Sequence, residues 1–435
     1  MKRDLTVIGV IPQYPRHSQQ NIYAKIKMPP VGLLSVMSQI AHHPRIKEIY
    51  AIDENNYGGP KDSEGRPDHS FLQDRQPAQI TLFYGGMSNS IPRMYSVASQ
   101  YKTFGAVTVA GGSHVDALPL EALQSGIDIV VHGEGEETIL ELLALWISDS
   151  GVSLNRDQLS PVQGISFFDE TGAYVFTGKR KPIEDLNELA DPDLTLIKFL
   201  KKRWSYVPIN RGRGCNWNCE FCIVNKIYGR YKLASAETTL RQLIKYADLG
   251  YENFFFTDDN FAQNPDDAIT LCRKIGDYKR NFRKKLDLVV QVRSEVAEND
   301  ELIDAMRFAG VSMLAIGFES PINKELRAMR KGVTAEKLIT RSHKLSNDFY
   351  LHGMFIFGYP LNENTRADSS FTIQERARHY IKFFKKSKID TLQVLNAVPL
   401  PGSDLRARLE KEGRLLPLST VGWDKYDGLF LCYDP

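Results

Sequence analysis

Cys215, Cys219 and Cys222 fall within one short stretch, NRGRGCNWNCEFCIVNKIYG (210–229), and make up three of the chain's 5 cysteines. Thiolates spaced Cys-x3-Cys-x2-Cys on one loop can reach three corners of a cubic iron–sulfur cluster. The fourth iron then has no protein ligand and is open to a substrate or cofactor. A structural zinc generally takes four ligands, often as two paired clusters. Cys272 lies inside a helical pattern, Cys432 lies at the C-terminal end, and His114 and His132 belong to the first part of the chain. None of these completes a zinc set convincingly. An odd number of thiols cannot all pair as disulfides. Few cysteines and no export signal point to the reducing cytoplasm, where clustered cysteines usually mean metal or catalysis.

The bulk composition excludes little. With 435 residues the chain has room for two or three domains, and 42% hydrophobic and 25% charged residues fit an ordinary globular protein. A formal net charge of +2 gives no footing for nucleic-acid binding. No run approaches roughly 18 apolar residues, so no membrane span is expected. The start MKRDLTVIGVIPQYP passes from two basic residues straight into a strand-like segment and lacks the marks of a signal peptide.

The elements that must position the cysteines come in two alternating series. In the first, short apolar runs ending in Gly or polar residues (5–11, 49–54, 80–86, 106–112, 128–135) alternate with helical patterns. That rhythm predicts a parallel sheet covered on both faces, with ligands bound at the carboxyl ends of its strands. Residues 149–203 hold a hairpin pattern and an acidic, proline-punctuated stretch, and are expected to form a connector between a domain at 1–148 and one at 204–405. The second series has six strand candidates from YVPINRG onward, which suits a partial parallel barrel. At the ends of its strands stand Asp258, Asp259 and Asn260, then Gln291 and Arg293, Glu319, and Asn396. Residues 406–435 are expected to form a C-terminal extension.

On these residues the chain resembles the radical S-adenosylmethionine (SAM) superfamily. The cysteine triad with Phe221 just before its last member is similar to that family's signature. FFFTDDNF, AIGFESPINKELRAMRKG and NAVPLPGSDLRARLEKEG are similar to its second-strand, fourth-strand and closing segments. GGSHVDALPLEAL and VVHGEGEETILELL resemble the cobalamin-binding domain fused to one large branch. The resemblance implies an α/β fold: an N-terminal Rossmann-like doubly wound parallel sheet of cobalamin-binding type, then a partial (β/α)6 TIM-like barrel. It also implies a 4Fe-4S cluster on the three cysteines and SAM at the open iron. One-electron cleavage of SAM yields a 5′-deoxyadenosyl radical that takes hydrogen from an unreactive carbon. Asp258 and Asp259 are then candidates for the SAM ammonium, with Asn260 in support. Gln291, Arg293 and Glu319 are candidates for its ribose and carboxylate, and Phe221 for its adenine. Each has a plainer reading: Arg293 pairing with Glu295, for example, or Asp258 capping the helix after it.

For the front domain the resemblance implies cobalamin, with Ser88, Gly111, Gly112, Glu134 and Gly135 as expected contacts. DENNYG (53–58) mimics the Asp-x-His-x-x-Gly motif that ligates cobalt in some relatives, but Asn55 replaces the histidine and the segment follows the second strand. It is expected to be coincidence. The expected activity is cobalamin-dependent C-methylation of a small-molecule, lipid or peptide substrate, with a reductant such as flavodoxin or ferredoxin. The alternatives are a radical SAM enzyme of cyclising, rearranging or oxidising type that does not use cobalamin, and a zinc-stabilised binding module.

Overall fold

In a computed structural model of the chain, the residues described are 5–15, 17, 28–146, 155–361 and 371–434. The last three residues of the helical pattern ETILELLALWISD therefore lie outside the described residues. The chain divides into two compact units, Met1–Trp204 with Leu418–Asp427, and Ser205–Pro417 with Gly428–Pro435.

The first unit is built on one eight-stranded sheet. Its strands are β1 (Leu5–Ile11), β2 (Ile46–Asp53), β3 (Ile80–Tyr84), β4 (Val107–Gly111), β5 (Ile129–Val131), β6 (Ile165–Phe168), β7 (Tyr174–Phe176) and β8 (Ile197–Lys198). They run in the order β7-β6-β5-β4-β3-β1-β2-β8. β1 and β5 are buried along their whole length, because helices such as Val31–Ile40 and Ile91–Thr103 bury apolar faces beside them. This is why these strands read as unbroken apolar runs. Pairing is parallel from β5 through β8 and antiparallel for β5–β6 and β6–β7. The segment expected to connect the two series thus supplies three strands of this sheet. The sheet's order reverses at β1, which lies between β2 and β3, and such a switch point opens a crevice at the carboxyl ends of the strands.

The second unit carries a six-stranded, wholly parallel sheet in the order β16-β15-β14-β13-β12-β9. These strands are β9 (Val207–Ile209), β12 (Asn253–Phe256), β13 (Asp287–Val292), β14 (Val311–Glu319), β15 (Tyr350–Phe357) and β16 (Thr391–Asn396). β9 and β16 stand at opposite edges, which makes this an incomplete barrel. Amphipathic helices cross between consecutive strands. Ser235 caps Ala236–Asp248 by accepting from Thr238 N, and Asn299 caps Asp300–Ala309 by accepting from Leu302 N. Among the described residues, no helix is long and apolar enough to cross a membrane.

Candidate active site

The cysteine loop leaves the sheet directly after β9. A two-residue antiparallel ribbon, β10 (Gly212–Arg213) with β11 (Lys232–Leu233), pinches the loop at its base, and Ala234 N donates to Arg211 O at 2.7 Å. Gly212 runs close to the end of β12: a Cβ there would stand 2.7 Å from Asp258 Oδ1. All three loop cysteines are free thiols, and the other two, Cys272 and Cys432, are buried elsewhere in the unit. Burial pushes the Cys222 thiol up to about 11, with Asp259 and the two sister thiols adding to the effect, and Cys215 moves the same way. Burial thus favours the neutral thiols, and a positively charged metal centre would favour the thiolates; three thiolates on separate corners of an iron–sulfur cluster is what this loop can offer. Among the described residues, no three His, Cys, Asp or Glu side chains form a group able to hold a single metal ion.

Several contacts anchor the loop, and sequence reading found few of them. Glu220, between Cys219 and Phe221, is buried; Arg408 grips it through Nε (2.8 Å) and Nη2 (3.1 Å), and Tyr359 Oη donates to it at 2.5 Å. Glu220 N also donates to Met329 O, and Leu405 N to Glu220 O. The helix Asp404–Lys411, which holds the closing motif of the chain, is therefore fastened to the cysteine loop across 188 positions of sequence. On the loop's other flank, Gln263 Oε1 accepts from Asn216 N (3.3 Å) and Cys215 Sγ (3.5 Å). Arg408→Ala would leave a mostly buried carboxylate paired only with a tyrosine. The expected cost is about 2–3 kcal/mol in denaturant unfolding, together with faster loss of bound iron during desalting. Unchanged stability and iron retention would remove this anchor from the account.

Opposite the loop, the ends of β12, β13 and β14 bring the expected residues together. Asp258 is fully buried; both its carboxylate oxygens lack a well-formed hydrogen bond, as do Nε and Nη1 of the neighbouring buried Arg211 and Oδ1 of Asn260. Buried polar groups are nearly always satisfied, so such a cluster at the mouth of a parallel sheet is where a polar ligand completes the structure. Desolvation pushes the Asp258 carboxyl up to about 7, against the pull of Arg211. Asp259 is exposed, and Gln291 Nε2 donates to Asp258 O at 3.3 Å. Glu319 ends β14 with φ 61°, a left-handed conformation that β-strand residues avoid, and Lys331 Nζ donates to its Oε1 at 2.8 Å. The Phe221 ring packs against the buried cluster that includes Met329, Tyr359 and Leu405. Arg293 turns to the cysteine loop and also pairs with Glu295.

Asp258 also sets a pH dependence. Its folded-state pKa lies above that of an ordinary aspartate, so the folded protein binds the extra proton between about pH 4 and pH 7. Stability is then lost as pH rises through that window. Asp258→Asn is expected to raise the melting temperature of the cofactor-free protein above pH 7, with the gain vanishing towards pH 4. A variant that melts lower than the parent at pH 8 would contradict this reading of the site.

In the first unit the expected contacts all lie at the carboxyl ends of β3, β4 and β5. Gly112 has φ 126°, and a Cβ there would meet Gly86 N at 2.6 Å, so local packing alone requires glycine. Gly111 differs: the nearest atoms to a Cβ would be 3.8 Å away, in Val131, and nothing in the chain demands its absence. Ser88 is buried, with its Oγ 3.0 Å from His114 Nδ1. Glu134 accepts from Ile183 N at 3.0 Å and so holds the segment that follows the β6–β7 hairpin. A Cβ on Gly135 would stand 3.1 Å from Val36. Asn55 is spent internally, accepting from Tyr14 N (2.9 Å) and donating to Pro12 O (3.1 Å). A cavity of about 450 Å³ lies beyond β1 and β3, lined by Gln13, Tyr14, Asn89, Arg93 and Asp424 among others. That is the position the switch-point rule assigns to a ligand.

Comparison with known proteins fits this geometry. The family model of the radical SAM superfamily matches residues 209–369, from the end of β9 past the end of β15. A methyltransferase of Pyrococcus horikoshii, itself named as uncharacterized, is 30% identical over 344 residues, covering 76% of this chain and 69% of the relative. This chain belongs to the radical SAM superfamily. The hopanoid C-2 methylase of Rhodopseudomonas palustris is 24% identical over 405 residues, covering 89% of this chain and 66% of that enzyme. The chain thus spans about two thirds of the length of these relatives. In fold, it is similar to the radical SAM methyltransferase TsrM from Kitasatospora setae, solved with tryptophan and a SAM analogue. The TM-score is 0.72 at 16% identity, over 95% of this chain and 78% of that one. The α/β architecture read from the sequence, a doubly wound parallel sheet followed by an incomplete radical SAM barrel, is the one found.

Proposed function

We propose that this radical SAM protein is a cobalamin-dependent C-methyltransferase acting on an unactivated carbon. The observation that carries the proposal is the cysteine loop, three thiols and no fourth, set against buried polar atoms of Asp258, Arg211 and Asn260 that lack a well-formed hydrogen bond at the mouth of a parallel sheet. Cys215, Cys219 and Cys222 would hold a 4Fe-4S cluster. Asp258, Asn260 and Gln291 would orient SAM, with Asp259, whose charge is felt at Cys215 and Cys222, beside them. The Glu319–Lys331 pair would present one charge of each sign to SAM at the end of β14. In the first unit, the bare edge at Gly111 and the crevice beyond β1 and β3 would receive cobalamin. When bound, these groups supply a one-electron route to a substrate radical and a methyl group to quench it. The residues named bind, orient and exclude water.

The chain's relatives, a methyltransferase and a hopanoid methylase, favour methylation as the outcome. A small-molecule, lipid or peptide substrate, a flavodoxin- or ferredoxin-type electron donor and a cytoplasmic setting complete the proposal. To test it, the reconstituted chain would be given SAM with a deuterated methyl group and a chemical reductant. Transfer of the label to cobalamin, together with 5′-deoxyadenosine, is expected. SAM recovered intact would refute the proposal, and 5′-deoxyadenosine without labelled cobalamin would limit it to the radical half.

A further inference from the structure

Arg293 is a candidate SAM contact by sequence, but its side chain is built into the cysteine loop. Nη1 lies 3.9 Å from Cys219 Sγ, and the guanidinium lies over the Trp217 ring, 3.7 Å from its centre. Nη2 donates to Lys331 O at 2.6 Å and pairs with Glu295 at 3.3 Å. The residue is buried, and among the described residues its Nε has no hydrogen-bond partner. Planarity matters here: only a guanidinium can stack on an indole and fork between a carbonyl and a sulfur at once. Among the described residues the carboxylate paired with it is Glu295, at 3.3 Å and about one-third exposed; Glu295 also faces Arg341 at 3.5 Å, which Glu298 pairs more closely. A fixed positive charge is thus held beside one ligand sulfur, with the ring of Trp217 covering a face of the cation.

We propose that Arg293 is a positioning residue that sets the reduction potential of the iron–sulfur cluster through the Cys219 sulfur. The inference rests on reading the loop as a cluster site. Adding an electron makes the cluster more negative. A clamped guanidinium at a ligand sulfur favours that reduced state by charge and by an N–H···S contact, and hydrogen bonds to sulfur are among the factors that set such potentials. Lysine at this position would keep the charge but lose the fork and the stacking.

The test is a redox titration of the anaerobically reconstituted full chain, followed by the electron paramagnetic resonance signal of the reduced cluster. In Arg293→Gln, iron content should match the parent. The ratio of reduced to oxidised cluster at a fixed solution potential should fall about tenfold, which is about 59 mV for a one-electron couple. Arg293→Lys should fall between the two. A ratio within about twofold of the parent in a fully loaded Gln variant would overturn the proposal, since a merely structural residue would not move the potential. If the Gln variant takes up no iron while the parent does, Trp217→Leu carries the test. It leaves the charge in the chain but removes the stacking face, so a fall of about threefold is expected and an unchanged ratio overturns the proposal. A parent chain that takes up no iron would instead refute the cluster reading itself.

Discussion

Replacing Cys219 by alanine is expected to leave the reconstituted protein without its cluster, from about four irons per chain to less than one. Cys219 is the middle thiol of the triad and is buried, with Arg293 Nη1 3.9 Å from its sulfur. Losing it leaves two thiols on a loop that has no further ligand to lend. The fold should survive. The loop's position is set by the Glu220–Arg408 pair and the β10–β11 ribbon rather than by the thiols, so stability of the cofactor-free form should change by no more than about 1 kcal/mol. Cys272→Ala gives the opposite pattern: this thiol is fully buried in the helix Pro265–Asn281, so its loss costs packing and leaves iron content unchanged. Iron at the parental level in the Cys219 variant would contradict the assignment.

The second large effect is expected at Lys331. Its ammonium donates to Glu319 Oε1 at 2.8 Å, and both side chains are about nine-tenths buried. Lys331→Met leaves the Glu319 carboxylate unpaired in a low-dielectric site, at a cost of about 3–5 kcal/mol in urea unfolding. Adding Glu319→Gln removes the stranded charge and should recover more than half of that loss, a coupling that a double-mutant cycle reads directly. The left-handed φ of Glu319 should remain a burden in both variants, because it belongs to the irregular β14–β15 register rather than to the ion pair. A single variant within about 1 kcal/mol of the parent would show that the pair is hydrated and does not organise the mouth of the barrel.

The parts of this site that sequence reveals are those carried by local spacing. Cys-x3-Cys-x2-Cys fixes a loop's chemistry wherever the loop sits, and FFFTDDN shows a strand ending in acids because apolar run and polar stop are adjacent. The six strands of the barrel are legible for the same reason: each reads as a short apolar run between helical periods, although β16 has no buried residue and β12 and β15 alternate. Arg293 with Trp217, Glu220 with Arg408 and Lys331 with Glu319 are pairings of side chains far apart in the chain or on opposite sides of a turn. No periodicity marks them. Only Glu220, a carboxylate lying between two of the clustered cysteines, offered a signal, since a charge there needs a partner if buried. Residues 149–203 illustrate the other limit. β6 and β7 read correctly as a hairpin, but whether a hairpin links two domains or extends a sheet depends on the edge it meets, and here it pairs with β5. Glu134 and Ser88 stand at the strand ends where ligand contacts were expected, yet the backbone of Ile183 and the ring of His114 engage them.

The most direct measurement is metal analysis, with an ultraviolet–visible spectrum, of the full chain after anaerobic reconstitution with iron, sulfide and hydroxocobalamin and then desalting. The account predicts about four irons and one cobalt per chain, with the charge-transfer bands of a thiolate-ligated cluster. Iron without cobalt would contradict the cobalamin half and leave the first unit as a platform for substrate or partner. Zinc without iron would contradict the account at its root.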